Sequence, residues 1–265
     1  MVPQIGDPYP LKTGEVHLWW VCLSKELEHL DHFQRILSDE EREKAGSFYF
    51  RRDRERFTMR RGILRVLLGG YLQNEPGDLR FAYQRSGKPR METLTGDPPL
   101  YFNLSHSHGF AVYALSSSHE VGIDLESTET GISIEEFAET FLTQREIREV
   151  FRCPSNRRKE VLLQYWTFRE ATFKARGLGN SVASKSFEVS LRRNRPTVRM
   201  KTGNPDARAS LSLHRLEAPK GFVSALAVEG QEDIVLKRYQ WDSEASFRSV
   251  CCGVGGQAET IVIDR

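Results

Sequence analysis

The same order of predicted elements occurs twice along this chain, and that repetition constrains the fold more than any single motif. A run rich in β-branched and aromatic residues, Glu15 to Leu23, predicts a strand, which two helices and three short strands follow. From Val121 the order begins again with a strand, helices and further strands. The two stretches share no obvious sequence identity, so the repeat is one of element order. We therefore expect an α+β fold of two similar α/β halves.

Capping boxes and apolar spacing give the predicted bounds of these elements. Capping boxes predict helix starts at Ser38, Ser133 and Thr143, each with a glutamate three residues later. Apolar spacing predicts a helix from about Arg54 and a long helix over residues 157–176 that Gly177 closes. Short strands are predicted at 79–84, 100–105 and 110–116, and in the second stretch at 121–126, 185–191, 208–216, 222–228 and 233–239. We expect an N-terminal half (1–117), a C-terminal half (118–240) and a polar, glycine-rich tail (241–265).

Composition indicates an ordinary globular protein of 265 residues, 39% of them hydrophobic and 28% charged. The longest apolar runs, Leu18 to Leu23 and Phe222 to Val228, are far shorter than the roughly 20 residues that cross a bilayer, so we expect no membrane span. The N-terminus has neither a basic start nor an apolar core, which predicts a cytoplasmic protein. The four cysteines show neither metal-type spacing nor a disulfide framework, so free thiols are expected.

The overall charge argues against a protein that coats nucleic acid, because 38 Lys and Arg residues nearly balance 36 Asp and Glu residues. The local distribution is less even. Between Arg42 and Arg65, nine basic residues stand against three acidic ones. A solvated helix face and a docking surface for an acidic ligand or partner are equally good interpretations of this stretch.

The predicted strand from Val121 to Glu126 carries two carboxylates on one face. Side chains alternate along a strand, so Asp124 and Glu126 project together. Their mutual repulsion is relieved by a cation, and Mg²⁺ takes oxygen ligands of this kind. From this motif alone, an edge strand with a charged outer face is the alternative.

The long helix carries a second candidate pair, Glu170 and Lys174. At i, i+4 spacing such a pair by itself stabilises a helix by roughly 0.2–0.5 kcal/mol. Trp166 and Phe173 lie on or beside the same face, so the pair would sit against aromatic surface. Near the carboxylates of the acidic strand, the glutamate could complete a metal site or remove a proton, and the lysine could neutralise a phosphate oxygen.

Two polar segments add candidates for phosphate contacts. The segment Phe102-Asn-Leu-Ser-His-Ser107 follows an apolar strand, a usual place for a binding loop, and its His106 is either a phosphate contact or a structural residue. The turn Arg85-Ser-Gly-Lys-Pro89 offers two cations and a glycine that permits close approach. The sequence has no Ser-His-Asp set, P-loop or GxGxxG motif, so nucleoside triphosphate hydrolysis and dinucleotide redox chemistry have no support.

Taken in order, these motifs resemble the Sfp-type family of 4′-phosphopantetheinyl transferases. The resemblance covers about residues 15–230 and is carried by Gly87-Lys-Pro89, Phe102-Asn-Leu-Ser-His-Ser107, Val121-Gly-Ile-Asp-Leu-Glu126, Phe137-Ala-Glu-Thr-Phe-Leu142 and Trp166-Thr-Phe-Arg-Glu-Ala-Thr-Phe-Lys174. It implies two halves related by a pseudo-twofold axis, with coenzyme A bound in the cleft between them. The chain is too long for the short, trimeric holo-acyl-carrier-protein-synthase type, so a monomer is expected.

The resemblance also implies the activity and the site residues. Members transfer the phosphopantetheine arm of coenzyme A to a serine of an apo carrier protein, of the acyl, peptidyl or polyketide kind, and release adenosine 3′,5′-bisphosphate. By matching positions, Asp124 and Glu126 would hold Mg²⁺, with Glu170 as third ligand or as the base. The implied coenzyme A contacts are Lys174 at the pyrophosphate, His106 at the 3′-phosphate, Arg52, Arg85 and Lys88 at the nucleotide phosphates, and Asn103 and Ser105 in the same motif as His106. Nucleic acid and membrane are not expected as partners.

At this point the sequence shows one departure from the family pattern, and three alternatives to the transferase function stay open. Arg169 stands where many relatives have lysine, which puts a phosphate contact there in doubt. A Mg²⁺-dependent phosphohydrolase would use the same carboxylates but needs a further base for a water, and a binding module without turnover predicts loss of Asp124 or Glu170. Nucleic-acid binding rests on the basic stretch alone.

The carrier could be steered by the basic helices of the first half or by the arginines at 192, 193 and 195.

Overall fold

The computed structural model describes residues 10–92, 99–178, 187–191, 196–200, 210–230, 234–241 and 259–262. In these residues the helices are α1 (Leu30–Ile36), α2 (Asp39–Gly46), α3 (Arg51–Leu72), α4 (Ile134–Phe141), α5 (Gln144–Arg152) and α6 (Ser155–Ala175), with 3₁₀ turns at Leu23–His29 and Pro76–Asp78. The strands are β1 (Glu15–Cys22), β2 (Phe81–Tyr83), β3 (Pro89–Met91), β4 (Tyr101–Ser107), β5 (Phe110–Ser116), β6 (Val121–Ser127), β7 (Phe187–Ser190), β8 (Thr197–Met200), β9 (Leu211–Leu216), β10 (Phe222–Glu229), β11 (Val235–Gln240) and β12 (Glu259–Val262).

Two larger sheets in the described residues carry the fold. The first has the strand order β12-β11-β1-β5-β4, in which β1 runs antiparallel to β5 and parallel to β11. The second has the order β6-β10-β9 with antiparallel neighbours. The pairs β2-β3 and β7-β8 form separate two-stranded ladders.

Strand β1 is buried on both faces, which explains its unbroken apolar run. Alternate residues of a strand point to opposite faces. Trp19 and Val21 belong to the core that α3 covers, whereas Leu18 and Trp20 belong to a core shared with β6 and β10. The first sheet therefore lies between α3 and the second sheet.

The second sheet is covered in the same way by α6. On β6, Ile123 and Leu125 point into the core shared between the sheets. Gly122 points to the other side, where a Cβ would lie 2.0 Å from the carbonyl oxygen of Ala171 on α6. The layers are thus α3, first sheet, second sheet and α6, and the predicted α+β fold of two similar halves is confirmed.

After the second sheet the chain returns to the first. β11, which the sequence grouped with the C-terminal half, pairs with β1 from Glu15 and Val235 to Trp20 and Gln240. Within the predicted tail, β12 pairs with β11, while residues 242–258 lie outside the described residues. A boundary between residues 117 and 118 falls in the connection from β5 to β6 and stays a prediction.

The predicted helix starts correspond to real caps. Ser38 and Thr143 each form the full reciprocal box with a glutamate, and Ser133 accepts from the backbone N–H of Glu136. Gly177 follows α6 with φ of 61°, a conformation that favours glycine. Helix α1 was not predicted, because its seven residues are too few for a clear apolar spacing and its N-cap residue makes no side-chain cap bond. Among the described residues, none of the helices is both long and apolar enough to cross a membrane.

Candidate active site

Side chains of β4 join the two sheets where no strand ladder connects them. Alternate residues of β4 point towards β6, and each accepts a hydrogen bond from a backbone N–H of that strand. The bonds are Ile123 N–H to Asn103 Oδ1 (2.9 Å), Leu125 N–H to Ser105 Oγ (3.2 Å) and Ser127 N–H to Ser107 Oγ (3.1 Å). We call this joint the β4–β6 seam, and the acidic residues of β6 lie along it.

Asp124 lies at the centre of the seam and is buried. Its Oδ1 accepts hydrogen bonds from Lys174 Nζ at 2.7 Å and from Ser105 Oγ at 2.9 Å. Its Oδ2 is buried and has no hydrogen-bond partner among the described residues. One carboxylate oxygen is therefore already neutralised, and the other remains available to a ligand.

Glu126 lies two residues further along the same face of β6, as the strand periodicity predicts. It accepts from Trp166 Nε1 at 3.3 Å and from Ser107 Oγ at 3.5 Å. Burial, and then the charge of Asp124, raise the pKa of Glu126 to about 7, although the bond from Trp166 and the charge of Lys174 act in the opposite direction. The carboxylate therefore lacks a full counter-charge in this structure.

Helix α6 brings Lys174 to the acidic strand, while the role of Glu170 beside the carboxylates stays a prediction. The close approach of α6 at Gly122 places the helix against β6. Lys174 Nζ donates to Ser105 Oγ at 3.2 Å and to the carbonyl oxygen of Ile123 at 3.1 Å, in addition to its bond with Asp124. Glu170 is buried and lies one turn from Lys174 on the same face of α6.

Cationic side chains of α3 face the other side of β4. His106 keeps an exposed face, yet partial desolvation of its ring and the positive charges of Arg60, Lys174 and Arg56 lower its pKa to about 3. Arg56 also lies beside the β4–β5 turn, because a Cβ on Gly109 would be 3.7 Å from its Nη2. The ring is therefore neutral at pH 7 and lies in a positive field.

Arg56 and Arg60 are site residues that the sequence analysis did not single out. With Arg52 they recur every four residues along α3, which places all three on one helix face. That spacing is the signal that would have separated them from the rest of the basic stretch. No ion pair between Arg56 or Arg60 and an acid occurs within the described part of the chain.

Two other arginines of the basic stretch belong to the core. Arg61 and Arg65 both pair with the carboxylate of Glu41, and all three side chains are buried. Arg61 also donates to the hydroxyl of Tyr83 at 2.7 Å. These two residues form neither a solvated face nor a docking surface, because a buried acid already neutralises them.

Among the described residues, the remaining predicted phosphate contacts make no hydrogen bond or ion pair with Asp124 or Glu126. Lys88 is nearly buried and pairs with Glu120 at 2.6 Å, so it ties its turn to the start of β6. Arg85 is exposed, and Arg52 is exposed with its Nε 3.8 Å from Asp53. The oxygen of Asn103 is engaged in the seam. Their contacts with a substrate stay predictions, and residues 192, 193 and 195 lie outside the described residues.

Arg169 points away from the site. Its Nη2 donates to both oxygens of Glu146, at 2.8 and 2.5 Å, and to the carbonyl oxygen of Phe187 at 3.0 Å. The pair is fully buried on the opposite side of α6. This orientation argues against a phosphate contact by Arg169, since its side chain is engaged by Glu146 and does not face the seam.

Comparison with known families identifies both halves. Residues 120–227 match the model of the 4′-phosphopantetheinyl transferase superfamily, and residues 20–118 match the model described as 4′-phosphopantetheinyl transferase, N-terminal. The two matches meet at the connection between β5 and β6.

Curated relatives cover most of the chain. The 4′-phosphopantetheinyl transferase HetI of Nostoc sp. is 36% identical over 220 residues, which is 83% of this chain and 90% of the relative. The 4′-phosphopantetheinyl transferase Sfp of Bacillus subtilis is 27% identical over 216 residues, which is 80% of this chain and 92% of the relative. The crystal structure of Thermotoga maritima holo-[acyl-carrier-protein] synthase aligns with 44% of this chain and 67% of its own, at 24% identity and a TM-score of 0.35.

Proposed function

This chain belongs to the 4′-phosphopantetheinyl transferase superfamily, and we propose how its site carries out the reaction. The enzyme transfers the 4′-phosphopantetheine arm of coenzyme A to a serine of an apo carrier protein and releases adenosine 3′,5′-bisphosphate. The observation that supports the placement of this chemistry is the cluster of Asp124, Glu126 and Lys174 on the seam between the halves.

Asp124 and Glu126 fit a hard divalent cation, and we propose that they hold Mg²⁺, with Glu170 as third ligand or as the base. The unpartnered Oδ2 of Asp124 and the uncompensated charge of Glu126 are oxygen donors of the kind that Mg²⁺ takes. Among the described residues no three metal-ligand side chains gather at one point, which favours Glu170 as the base over Glu170 as third ligand. The other ligands would then be substrate phosphates and water, as is common for this ion. When bound, Mg²⁺ neutralises negative charge that develops on the transferred phosphoryl group.

The phosphates of coenzyme A are proposed to lie between the carboxylates and the α3 cations. Lys174 would neutralise the pyrophosphate, since its ammonium already reaches the seam. His106 is neutral at pH 7 and can hydrogen-bond the 3′-phosphate, while Arg56 and Arg60 supply the positive charge around it. The exposed Arg52 and Arg85, together with Lys88, Asn103 and Ser105, remain proposed contacts further along the ligand.

In the proposed step, the carrier serine oxygen bonds to the phosphorus of the phosphopantetheine phosphate. The bond from that phosphorus to the oxygen of the nucleotide phosphate breaks, and adenosine 3′,5′-bisphosphate leaves with the electron pair. As the base, Glu170 would accept the serine proton, which its buried position one turn from Lys174 supports. The chain's contribution is mainly positioning and charge neutralisation, which phosphoryl transfer requires.

Intact mass spectrometry of apo acyl, peptidyl and polyketide carriers tests this proposal. With coenzyme A and Mg²⁺, we expect the mass gain of one phosphopantetheine arm, and we expect EDTA or Glu170→Ala to abolish it. The matched variant Glu129→Ala, at an exposed position just after β6, should retain the gain. Coenzyme A binding without a mass gain on any of the three carriers would contradict the proposed transfer.

We also propose that the enzyme works as a cytoplasmic monomer. One chain supplies the carboxylates, Lys174 and the α3 cations, so a second copy is not needed to complete the site. Cys22 and Cys153 are free thiols, which agrees with a reducing compartment. A single-chain mass in multi-angle light scattering would support the monomer, and a dimer mass would contradict it.

A further inference from the structure

A cavity of about 230 Å³ lies behind α6, away from the seam. Val161, Gln164 and Tyr165 of α6 line one side of it. Val161 and Glu170 are nine residues apart, which is about two and a half helical turns, so they lie on opposite faces of α6. The cavity is therefore separate from the proposed transfer site.

Three arginines stand around this cavity, which we call the α5–α6 pocket. They are Arg145 of α5, Arg157 of α6 and Arg215 of β9, and all three are exposed. Arg215 Nη2 donates to Gln164 Oε1 at 2.7 Å, which fixes its direction beside the pocket. Within the described ranges, neither Arg157 nor Arg215 has an acidic partner at ion-pair distance.

The acids that line the pocket are already engaged inside the protein. Glu146 accepts from the Arg169 guanidinium with both oxygens and also from the backbone N–H groups of Thr143 and Val189. Glu149 Oε1 accepts from Arg152 at 3.3 Å. The charges of Arg157 and Arg215 are therefore not balanced by these acids, whereas Arg145 has Glu188 as a partner at 3.9 Å.

We propose that the α5–α6 pocket binds a small anion that carries a phosphate or carboxylate group. Guanidinium groups present paired N–H donors that match the oxygens of these groups. The cavity is smaller than the ~300–1,000 Å³ of pockets for drug-sized ligands, which limits the ligand to a small phosphorylated or carboxylated molecule.

Tyr165 adds a neutral donor to the same wall. Burial, and then the charges of Glu149 and Glu146, raise the pKa of its phenol to about 12, so the hydroxyl keeps its proton at neutral pH. The pocket thus offers guanidinium N–H groups and a phenol O–H group to one ligand.

Residue-resolved arginine labelling tests the proposal on the full chain. The protein, saturated with coenzyme A, is treated with phenylglyoxal in chloride or in inorganic phosphate at equal ionic strength, and labelled peptides are quantified by mass spectrometry. We expect phosphate to slow the labelling of Arg157 and Arg215 several-fold. Arg148, which is exposed on α5 and does not line the pocket, is the internal control and should not change.

Arginine variants distinguish specific phosphate binding in the α5–α6 pocket from a general effect of salt on labelling. Arg215→Ala should weaken the phosphate protection of Arg157 by about tenfold in concentration, as expected for loss of one charge-assisted hydrogen bond. The matched variant Arg148→Ala should leave it unchanged. Equal protection of Arg148, or no protection by phosphate or pyrophosphate, would overturn the proposal.

A further sample labelled in chloride without coenzyme A keeps this proposal distinct from the transferase mechanism. Coenzyme A should protect Arg56 and Arg60 if these residues hold its phosphates, whereas phosphate protects the pocket residues. Failure of the first effect counts against the proposed coenzyme A site alone, and failure of the second counts against the α5–α6 pocket alone.

Discussion

Replacing Glu126 by glutamine tests whether the site carries uncompensated negative charge. The folded-state pKa of Glu126 is raised from 4.5 to about 7, so the folded protein holds this proton more tightly than the unfolded chain does. The contribution of protonated Glu126 to the free energy of unfolding is therefore fully present below pH 4.5 and is lost as the pH rises through 7. At about 1.4 kcal/mol per pKa unit, the raised pKa of Glu126 lowers the free energy of unfolding of the metal-free fold, relative to a neutral side chain, by about 1 kcal/mol at pH 5 and about 3 kcal/mol at pH 8.

Glutamine removes the charge at nearly constant shape and can still accept from Trp166. We therefore expect Glu126→Gln to raise the free energy of unfolding by these amounts, measured by urea unfolding with circular dichroism in EDTA at pH 5 and pH 8. Glu129→Gln, at an exposed position, should change it by less than about 0.5 kcal/mol. Added Mg²⁺ should stabilise the wild type more than Glu126→Gln. A variant no more stable than the wild type at pH 8, or a gain independent of pH, would refute the reasoning.

Three further changes test the fold and the ligand contacts. Gly122→Ala should destabilise the protein by at least about 2 kcal/mol in urea unfolding, because its Cβ would meet the Ala171 carbonyl oxygen, whereas Gly131→Ala, in open space, should be neutral. His17 is fully buried, and burial lowers its pKa from 6.5 to about 4, so the fold should lose about 3 kcal/mol as pH falls from 6.5 to 4. His17→Gln should flatten that pH dependence, and an unchanged slope would assign it to other groups. Arg56→Ala should raise the KM for coenzyme A about tenfold with little effect on the carrier KM, and an equal rise in both KM values would count against a phosphate contact.

Local periodicity was sufficient to predict which side chains of β6 and of α6 share a face, because each step depends on near neighbours in sequence. Alternation along β6 placed Asp124 and Glu126 together, and the four-residue spacing on α6 placed Glu170 with Lys174. Strands β1, β2, β4 and β5 and the caps of the later helices followed from equally local signals, whereas β3 was not predicted. The parallel pairing of β11 with β1 did not, since no local pattern distinguishes which sheet a late strand joins.

The charge pattern alone could not show which basic residues of α3 are buried and which are accessible, because burial depends on partners distant in sequence. Arg61 and Arg65 turn inward only because Glu41 is there to pair with them. Arg56 and Arg60 lie on the face that β4 approaches, where their charges help to lower the pKa of His106. The sequence showed a basic stretch, and the tertiary structure divides it into buried ion pairs and residues that face β4.

The β4–β6 seam explains why the segment Phe102 to Ser107 has two roles: its side chains join the two sheets, and they also contribute to the candidate site. An edge strand leaves backbone N–H groups that must be satisfied, and Asn103, Ser105 and Ser107 satisfy those of β6 with side-chain oxygens. Since alternate residues face opposite sides, the same strand turns His106 towards the α3 cations. Asn103 was assigned to coenzyme A from the motif, although its oxygen is already engaged by a backbone donor. Ser105 differs, because it also donates to Asp124 and accepts from Lys174, so it belongs to the joint and to the site at once.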